Sequence, residues 1–275
     1  MGFFYWSAGS MRDTHTGEVM SKAVKTEYVQ LKQAVYREYS RSYDEDRKRF
    51  VGGQGLAERV DWALGPLTQR ARLLDLGCGS GDVIARALEL HPDLVAPVGL
   101  DLTPEMLALA RTRFTHSCGL VQANAHVDSV AGLPLQDRKF NLVTSLNLIH
   151  ELPRAAIPGL LDEVHRVLNP GGQLQAVIPC MVAENPSSMV FQRMSWERGA
   201  MDFLFPSELK DLLNQGTGLT DRKFKLGPSS AASAAAKGET RFKLFSQIMD
   251  ELREQGLDPQ DVTQGVMYFS ASRAG

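Results

Sequence analysis

The sequence predicts an α/β protein built on a doubly wound, mostly parallel sheet of seven strands. Short apolar stretches alternate with helical patterns along residues 71–179, as is typical of parallel sheets covered by helices. A glycine-rich turn, DLGCGSG at 75–81, directly follows the first apolar stretch, and Asp101 ends the second. These observations predict a ligand site at the carboxyl edge of the sheet, where such folds bind nucleotide-like molecules.

The predicted elements follow one another in a regular order. We expect strands at 71–76, 94–102, 118–124, 140–148, 172–179, 219–226 and 265–272. We expect helices at 81–90, 104–114, 155–168, 206–215 and 240–255. Thr103 is predicted to cap the second of these helices, because Pro104 suits a first helical position. The NPGG tract at 169–172 is predicted to stop the third helix before the fifth strand begins.

The remaining segments predict the domain organisation. Residues 1–55 are expected to form a helical lid region, since an apolar stripe at helical spacing lies within 18–50. Residues 56–275 are expected to form the ligand-binding domain. Within that domain, 180–205 does not fit a minimal core and is predicted to insert on the substrate side, and 227–239 is predicted to be a flexible loop.

Composition narrows the class of protein. The net charge is −2, so the chain has no overall basic field with which to bind a polyanion such as a nucleic acid. The three cysteines lie far apart, which suits reduced thiols in the cytoplasm and gives no metal-site spacing. The N-terminal tract lacks the basic region of a signal peptide, and no apolar run has the roughly 20 residues of a membrane span. We therefore expect a cytoplasmic protein without a metal.

The glycine spacing distinguishes between nucleotide-like ligands. Gly77, Gly79 and Gly81 form G-x-G-x-G, whereas the dinucleotide fingerprint G-x-G-x-x-G needs a glycine where this chain has Asp82. Asp101 can accept hydrogen bonds from both hydroxyls of a ribose, as acidic residues do in many adenosine sites. The spacing therefore disfavours a nicotinamide cofactor and leaves another adenosine-containing ligand.

Four motifs in order resemble the class I S-adenosylmethionine-dependent methyltransferases, in particular their small-molecule, ubiquinone and menaquinone biosynthesis-like branch. The matching stretches are LLDLGCGSGD, VGLDLTPEMLALAR, ANAHVDSVAGLPLQDRKFNLVTSLNLIHEL and HRVLNPGGQLQAV. The match extends over about residues 55–180, and the terminal YFSASRA resembles the closing strand of the family. The resemblance implies a Rossmann-like methyltransferase fold, S-adenosylmethionine as cofactor and S-adenosylhomocysteine as product.

The resemblance also implies where the cofactor binds. Asp75, Gly77, Cys78 and Gly79 would lie along its methionine portion, with Asp75 acting on the amino group directly or through water. Asp101 would hold the ribose hydroxyls. The remaining positions that the resemblance assigns to the cofactor are Leu102 and Met106 beside the adenine, Asn124-Ala125 at its amino group, Leu146 and Asn147 at the ligand amino group, and Tyr39 or Tyr43 as a closing tyrosine. Asn124 stands where the family pattern has Asp, so it keeps an acceptor oxygen but loses the charge.

His150, just past the fourth strand, is the first candidate for a general base, and Glu151 is the second. The ordinary pKa of histidine, near 6.5, suits proton removal at neutral pH. Each also has a structural interpretation, as a hydrogen-bonded wall residue and as a solvated carboxylate. Methionine and aromatic side chains within 180–205 predict either the lining of an apolar, planar acceptor site or the anchor of the insertion.

Three functions remain open on the sequence alone. The first is methyl transfer to a small acceptor, by a monomer or a homodimer. The second is a protein with this fold that uses the cofactor site for other chemistry, such as cyclisation, or for regulation, because fold does not fix function. The third, a nicotinamide oxidoreductase, is disfavoured by the glycine spacing and by the lack of a Tyr-x-x-x-Lys pair after the fourth strand.

Overall fold

The computed structural model describes residues 22–45, 53–114, 118–125, 132–198, 201–228, 230–231 and 240–275. Three of the segments interpreted from the sequence therefore lie outside the described residues. They are the N-terminal tract, part of the helical run up to residue 50 and most of the loop at 227–239.

Strands and helices alternate along the described chain. The strands are β1 (Leu73–Leu76), β2 (Val98–Asp101), β3 (Gly119–Gln122), β4 (Phe140–Leu146), β5 (Leu168–Met181), β6 (Leu219–Leu226), β7 (Ser230–Ala231) and β8 (Thr263–Arg273). The helices are α1 (Lys22–Tyr39), α2 (Gly53–Leu64), α3 (Asp82–Leu90), α4 (Pro104–Arg113), α5 (Ile157–Val167), α6 (Pro186–Glu197), α7 (Pro206–Gln215) and α8 (Thr240–Glu254). Single turns of 3₁₀ helix lie at Ile149–Glu151, Arg154–Ala156 and Pro259–Asp261.

The sheet has the predicted doubly wound, mostly parallel topology. Its strands lie in the order β3-β2-β1-β4-β5-β8-β6, and β7 adds two residues beside β8. Strands β1 to β5 pair in parallel, whereas β8 runs antiparallel to both β5 and β6. The strand order reverses between β1 and β4, and the ends of these strands therefore form the edge at which such sheets bind ligands.

Each face of the sheet is covered by helices. Successive side chains of a strand point to opposite faces, and in β1 Leu74 packs in a core with α5 and α7 while Leu73 packs in a second core with α2 and α3. Gly99 of β2 permits close contact with the loop after β1, because a Cβ there would lie 2.8 Å from Cys78 Sγ. Strand β2 and the glycine turn are therefore in direct contact.

Some boundaries differ from the sequence prediction. Strand β5 begins at Leu168 rather than 172, so NPGG ends α5 but lies within the strand, where Gly171 has a φ of 75°. The pairing of β4 with β5 is irregular there, since Phe140 faces Leu168 while Leu142 faces Gln173. The described residues between β3 and β4, 123–125 and 132–139, contain no helix, and none was predicted there. Helix α2 begins at Gly53, inside the glycine-rich stretch VGGQG at 51–55.

The segment 180–205 contains the end of β5, helix α6 and an extended stretch at 201–205. Its apolar side chains pack against α8 in a third core made of Met181, Phe191, Met194, Met201, Phe203, Phe205, Phe245, Ile248, Met249, Leu252 and Val262. Of the two interpretations of its aromatic content, the structure shows the anchoring one. No helix in the described part of the chain is long and apolar enough to cross a bilayer.

We expect the Gly81→Ala variant to be less stable than the Gly256→Ala variant. Both glycines have a left-handed φ, 86° and 74°, which costs an alanine about 1–2 kcal/mol. At Gly81 the new Cβ would also lie 2.5 Å from Phe114 Cζ, whereas nothing lies within 4 Å at Gly256. Overpacking adds about 1–3 kcal/mol. Denaturant unfolding of both variants measures the difference, and equal losses would show that the turn is not packed as described.

Candidate active site

The glycines of the turn between β1 and α3 permit unusual backbone angles and close packing. Gly77 and Gly79 have φ values of 67° and 53°, which glycine adopts without strain. The backbone N–H groups of Gly77 and Cys78 donate to the Leu100 carbonyl of β2, at 2.7 and 3.0 Å. A Cβ at Gly79 would lie 3.1 Å from the Tyr43 hydroxyl. The turn thus exposes backbone beside a tyrosine of the N-terminal segment.

Asp101 is fixed at the end of β2 by backbone donors. Its Oδ2 accepts from Gly79 N and its Oδ1 from Thr103 N, both at 2.9 Å. Burial raises the pKa of Asp101, and the hydrogen bonds from Thr103 and Gly79 oppose that shift. Thr103 occupies the predicted N-cap position of α4, but its own side chain makes no capping hydrogen bond. The Asp101 carboxylate is therefore oriented before any ligand binds.

These residues line a cleft that contains about 680 Å³ of space between atoms, open solvent included. Of the predicted cofactor and catalytic residues, Tyr43, Gly77, Gly79, Asp101, Leu102, Met106, Asn124, Ala125, Leu146, Asn147 and Glu151 line it. The structure thus brings together residues from five segments that are distant in the sequence. Their common position is the carboxyl edge of β1, β2 and β4.

Three other predicted cofactor residues, Asp75, Cys78 and Tyr39, are not among the residues that line the cleft. Asp75 is 2% exposed and accepts a hydrogen bond of 2.7 Å from Thr144 Oγ1. Burial, with the nearby Asp75 and Asp101 charges, raises the pKa of the Cys78 thiol, so Cys78 contributes backbone rather than a thiolate. Tyr39 packs edge-to-face on Tyr43, with ring centroids 5.1 Å apart. These three residues support the lining residues instead of facing the cleft.

Asn147 provides an unsatisfied acceptor in the cleft. It has a φ of 57°, which asparagine tolerates better than most residues, and its backbone N–H donates to the Val177 carbonyl at 2.9 Å. Its buried Oδ1 has no hydrogen-bond partner among the described residues. Because a buried acceptor without a partner is costly, this oxygen is suited to a donor on a bound ligand.

Helix α1 brings a lysine, Lys32, to the cleft, where it pairs with Glu151; the sequence prediction did not include it. Lys32 Nζ lies 2.6 Å from Glu151 Oε2, and their side chains are only 6% and 7% exposed. The Tyr36 hydroxyl donates to Glu151 Oε1 at 2.6 Å, and Lys32 Nζ lies 5.5 Å from the centre of the Tyr28 ring. All four residues line the cleft. The solvated-carboxylate interpretation of Glu151 is therefore wrong.

His150 also lies close to Glu151. It is 4% exposed, and its Nε2 lies 3.0 Å from Met201 Sδ and 3.6 Å from Glu151 Oε1. Its ring packs beside Phe203, with centroids 5.9 Å apart. The ring does not line the cleft, so the residue in direct reach of a bound molecule is Glu151.

The described residues contain no group of three histidine, cysteine, aspartate or glutamate side chains placed to hold a metal ion. The fold and the cleft thus define an α/β protein with a site for a nucleoside-like ligand, built on a glycine turn and an acidic strand end.

Comparison with known proteins identifies the class more closely. Residues 73–172 match the family described as "Methyltransferase domain". The chain is 33% identical over 150 residues to the ubiquinone/menaquinone biosynthesis C-methyltransferase of Dinoroseobacter shibae, covering 54% of this chain and 58% of that enzyme. Residues 73–172 are therefore similar to a methyltransferase domain. It spans roughly a third to three fifths of the length of the first curated relatives it matches.

Solved structures share the fold. A methyltransferase-like protein from Bacillus halodurans is 20% identical, with a TM-score of 0.58 over 81% of this chain and 100% of that one. The cyclase SpnF is 18% identical, with a TM-score of 0.54 over 80% of this chain and 82% of that one. At these identities the likeness concerns architecture alone, and enzymes of different chemistry share it.

Proposed function

We propose that this protein transfers the methyl group of S-adenosylmethionine to a small acceptor. The observation that carries the proposal is Asp101, whose buried carboxylate is held by Gly79 N at the mouth of a glycine-lined cleft. A carboxylate in that place suits the two hydroxyls of a ribose.

The residues of the cleft fit this cofactor. The backbone of Gly77 and Gly79 would lie along its methionine portion, and the unsatisfied Oδ1 of Asn147, with the Leu146 carbonyl, would receive its amino group. Because Asp75 is buried and accepts a hydrogen bond from Thr144, contact through water is the more suitable of its two predicted modes. The residues proposed beside the adenine are Leu102, Met106, Asn124 and Ala125, with Tyr43 closing over the turn and Tyr39 supporting it.

When bound, this cofactor supplies an activated methyl group: the acceptor's electron pair forms the bond to the methyl carbon and the sulfonium becomes a thioether. The protein then needs to align the acceptor, exclude water and remove a proton where the acceptor carries one. Tyrosine rings and the apolar side chains of Leu148 and Leu152 line the part of the cleft beyond the cofactor residues. This lining supports an apolar or aromatic acceptor, although the 180–205 segment does not contribute it.

We expect Glu151→Gln and His150→Ala to lower turnover while leaving S-adenosylhomocysteine affinity nearly unchanged. Glu151 is proposed as the base, and losing a general base costs about 10²–10⁴-fold in rate. His150, 3.6 Å from Glu151 Oε1, is proposed to position it and should cost less. The measurements are calorimetric titration and the transfer of radiolabelled methyl from S-adenosylmethionine to a panel of small acceptors.

The two roles make different predictions for the pH profile. If Glu151 is the base, Glu151→Gln should abolish the fall in rate at low pH, which is the acid limb of the rate profile. His150→Ala should only shift the pH at which that fall occurs. If His150→Ala abolishes the limb and Glu151→Gln retains it, His150 is the base and the assignment is reversed. Equal loss of cofactor binding in both variants would refute a catalytic role for either.

The second candidate is use of the cofactor site for cyclisation or regulation. The cyclase SpnF has the same fold, so the architecture alone does not exclude this function. The two candidate functions differ in whether S-adenosylhomocysteine is released. Methyl transfer releases one molecule of it for each methylated acceptor, whereas cyclisation or regulation releases none. A monomer or homodimer in the cytoplasm, without a nucleic-acid partner, remains a prediction.

A further inference from the structure

The cleft contains a buried ion pair at the part not assigned to the cofactor. We propose that Lys32 and Glu151 select acceptors that present an oxyanion, meaning an acidic hydroxyl that ionises in the cleft, and that they reject amines. This inference rests on the methyl transfer proposed above and adds the chemical class of the acceptor.

The pair is desolvated and ordered. Lys32 Nζ and Glu151 Oε2 are 2.6 Å apart, and Tyr36 donates to the second carboxylate oxygen. Charges removed from water act strongly on one another and on any charge placed beside them. Both residues line the cleft, so a bound acceptor meets this pair rather than solvent.

The ammonium of Lys32 occupies the position that an amine of the acceptor would need. Protein sites bind ammonium groups with a carboxylate and the face of an aromatic ring. Here Glu151 and the Tyr28 ring supply both groups, and Lys32 Nζ already lies against them, at 2.6 Å and 5.5 Å. An acceptor bearing an ammonium would have to displace Lys32 or lie beside it, and like charges repel.

An oxyanion meets the opposite situation. Among the described residues that line the cleft, Lys32 is the only cation, and its ammonium can donate three hydrogen bonds. Asp101 is held by backbone donors, and Asp202, whose charge also acts on Tyr28, is paired with Arg154 at 2.7 Å. Lys32 is therefore the cation that can balance a negative charge on the acceptor once its partner Glu151 has taken up the acceptor's proton.

The Lys32–Glu151 pair can also remove the proton of the acceptor hydroxyl. When the acceptor enters as a neutral hydroxyl, its proton moves to a Glu151 oxygen and the electron pair of the O–H bond stays on the acceptor oxygen. The Lys32 ammonium stabilises the resulting oxyanion, which is the nucleophile. After the product leaves, Glu151 returns the proton to water.

The test uses three probes of similar shape on protein loaded with S-adenosylhomocysteine: 4-nitrophenol at a pH where it is ionised, neutral 4-nitroanisole, and 4-nitrobenzylammonium. One charge-assisted hydrogen bond is worth about 10–100-fold in affinity. We expect calorimetry to show the phenolate binding tighter than the neutral probe by that factor, and the ammonium probe weakest. Binding of S-adenosylhomocysteine itself is measured first, since its failure would refute the proposed function rather than this inference.

Variants of the pair sharpen the test. Lys32→Met should reverse the preference, because it leaves the Glu151 carboxylate to attract the ammonium probe. If this variant does not fold, the double variant Lys32→Met/Glu151→Gln removes both charges and should bind all three probes alike. Lys210→Met, an exposed lysine on α7, is the matched control and should behave as wild type. Wild-type protein that binds S-adenosylhomocysteine but fails to favour the phenolate, or variants that keep the preference, would overturn the inference.

Discussion

Replacing Asp101 with alanine should weaken S-adenosylhomocysteine binding by about 10²–10⁴-fold. The carboxylate is proposed to receive two ribose hydroxyls, and each hydrogen bond to a charged group contributes about 1.5–3 kcal/mol. The same carboxylate orients the turn through Gly79 N and the start of α4 through Thr103 N. The variant therefore loses both the ligand contacts and the arrangement of the backbone around them.

The control variants separate these two effects. Asp101→Asn keeps acceptor oxygen for one backbone donor and should lose less affinity than Asp101→Ala. Asp211→Ala, an exposed aspartate on α7, should leave the affinity unchanged. Calorimetric titration of the three variants measures the series. If Asp101→Ala binds S-adenosylhomocysteine as tightly as wild type, the cofactor does not use this strand end.

Lys32→Met should destabilise the folded protein by about 3–5 kcal/mol, because it leaves the Glu151 carboxylate buried without its cation. The double variant Lys32→Met/Glu151→Gln should recover most of that loss, since replacing both partners of a buried pair is often nearly neutral. Denaturant unfolding gives the free energies. Lys32→Met with the stability of wild type would mean that the pair is solvated in the folded protein.

The sheet and the cofactor end of the cleft follow from local patterns. Buried strands such as Leu73–Leu76 and helices with caps such as Thr103-Pro104 have short-range signals, and the G-x-G-x-G turn fixes how β1 meets α3. Parallel strands bring their carboxyl ends to one edge, so Asp101, Asn124 and Asn147 meet there without any long-range information.

The part of the cleft proposed for the acceptor is formed where α1 packs across the carboxyl edge of the sheet. No local sequence pattern predicts that packing. Tyr28, Lys32 and Tyr36 follow one another at intervals of four residues, so they share one helical face. A lysine between two tyrosines on one helical face is the sequence feature that could have indicated a buried charge. Its partner Glu151, 119 residues further along, could be identified only from the packing of α1 against the turn after β4.

The aromatic residues of 180–205 were predicted either to line the acceptor site or to anchor the segment, and their contacts are those of an anchor. Phe191 and Phe203 have the composition of a ligand-site lining, yet they pack with Phe245 of α8, more than 40 residues away in sequence. Composition indicates that such a segment is buried, but not which surface buries it. The same packing places His150 beside Phe203 and Met201 rather than on the cleft.

The central claim is that the glycine turn and Asp101 bind S-adenosylmethionine, and one measurement tests it most directly. It is calorimetric titration of the purified protein with S-adenosylhomocysteine, with NAD⁺ and NADP⁺ titrated in parallel. The account predicts micromolar binding of S-adenosylhomocysteine and no binding of either nicotinamide. No binding of S-adenosylhomocysteine, or a preference for a nicotinamide cofactor, would contradict it.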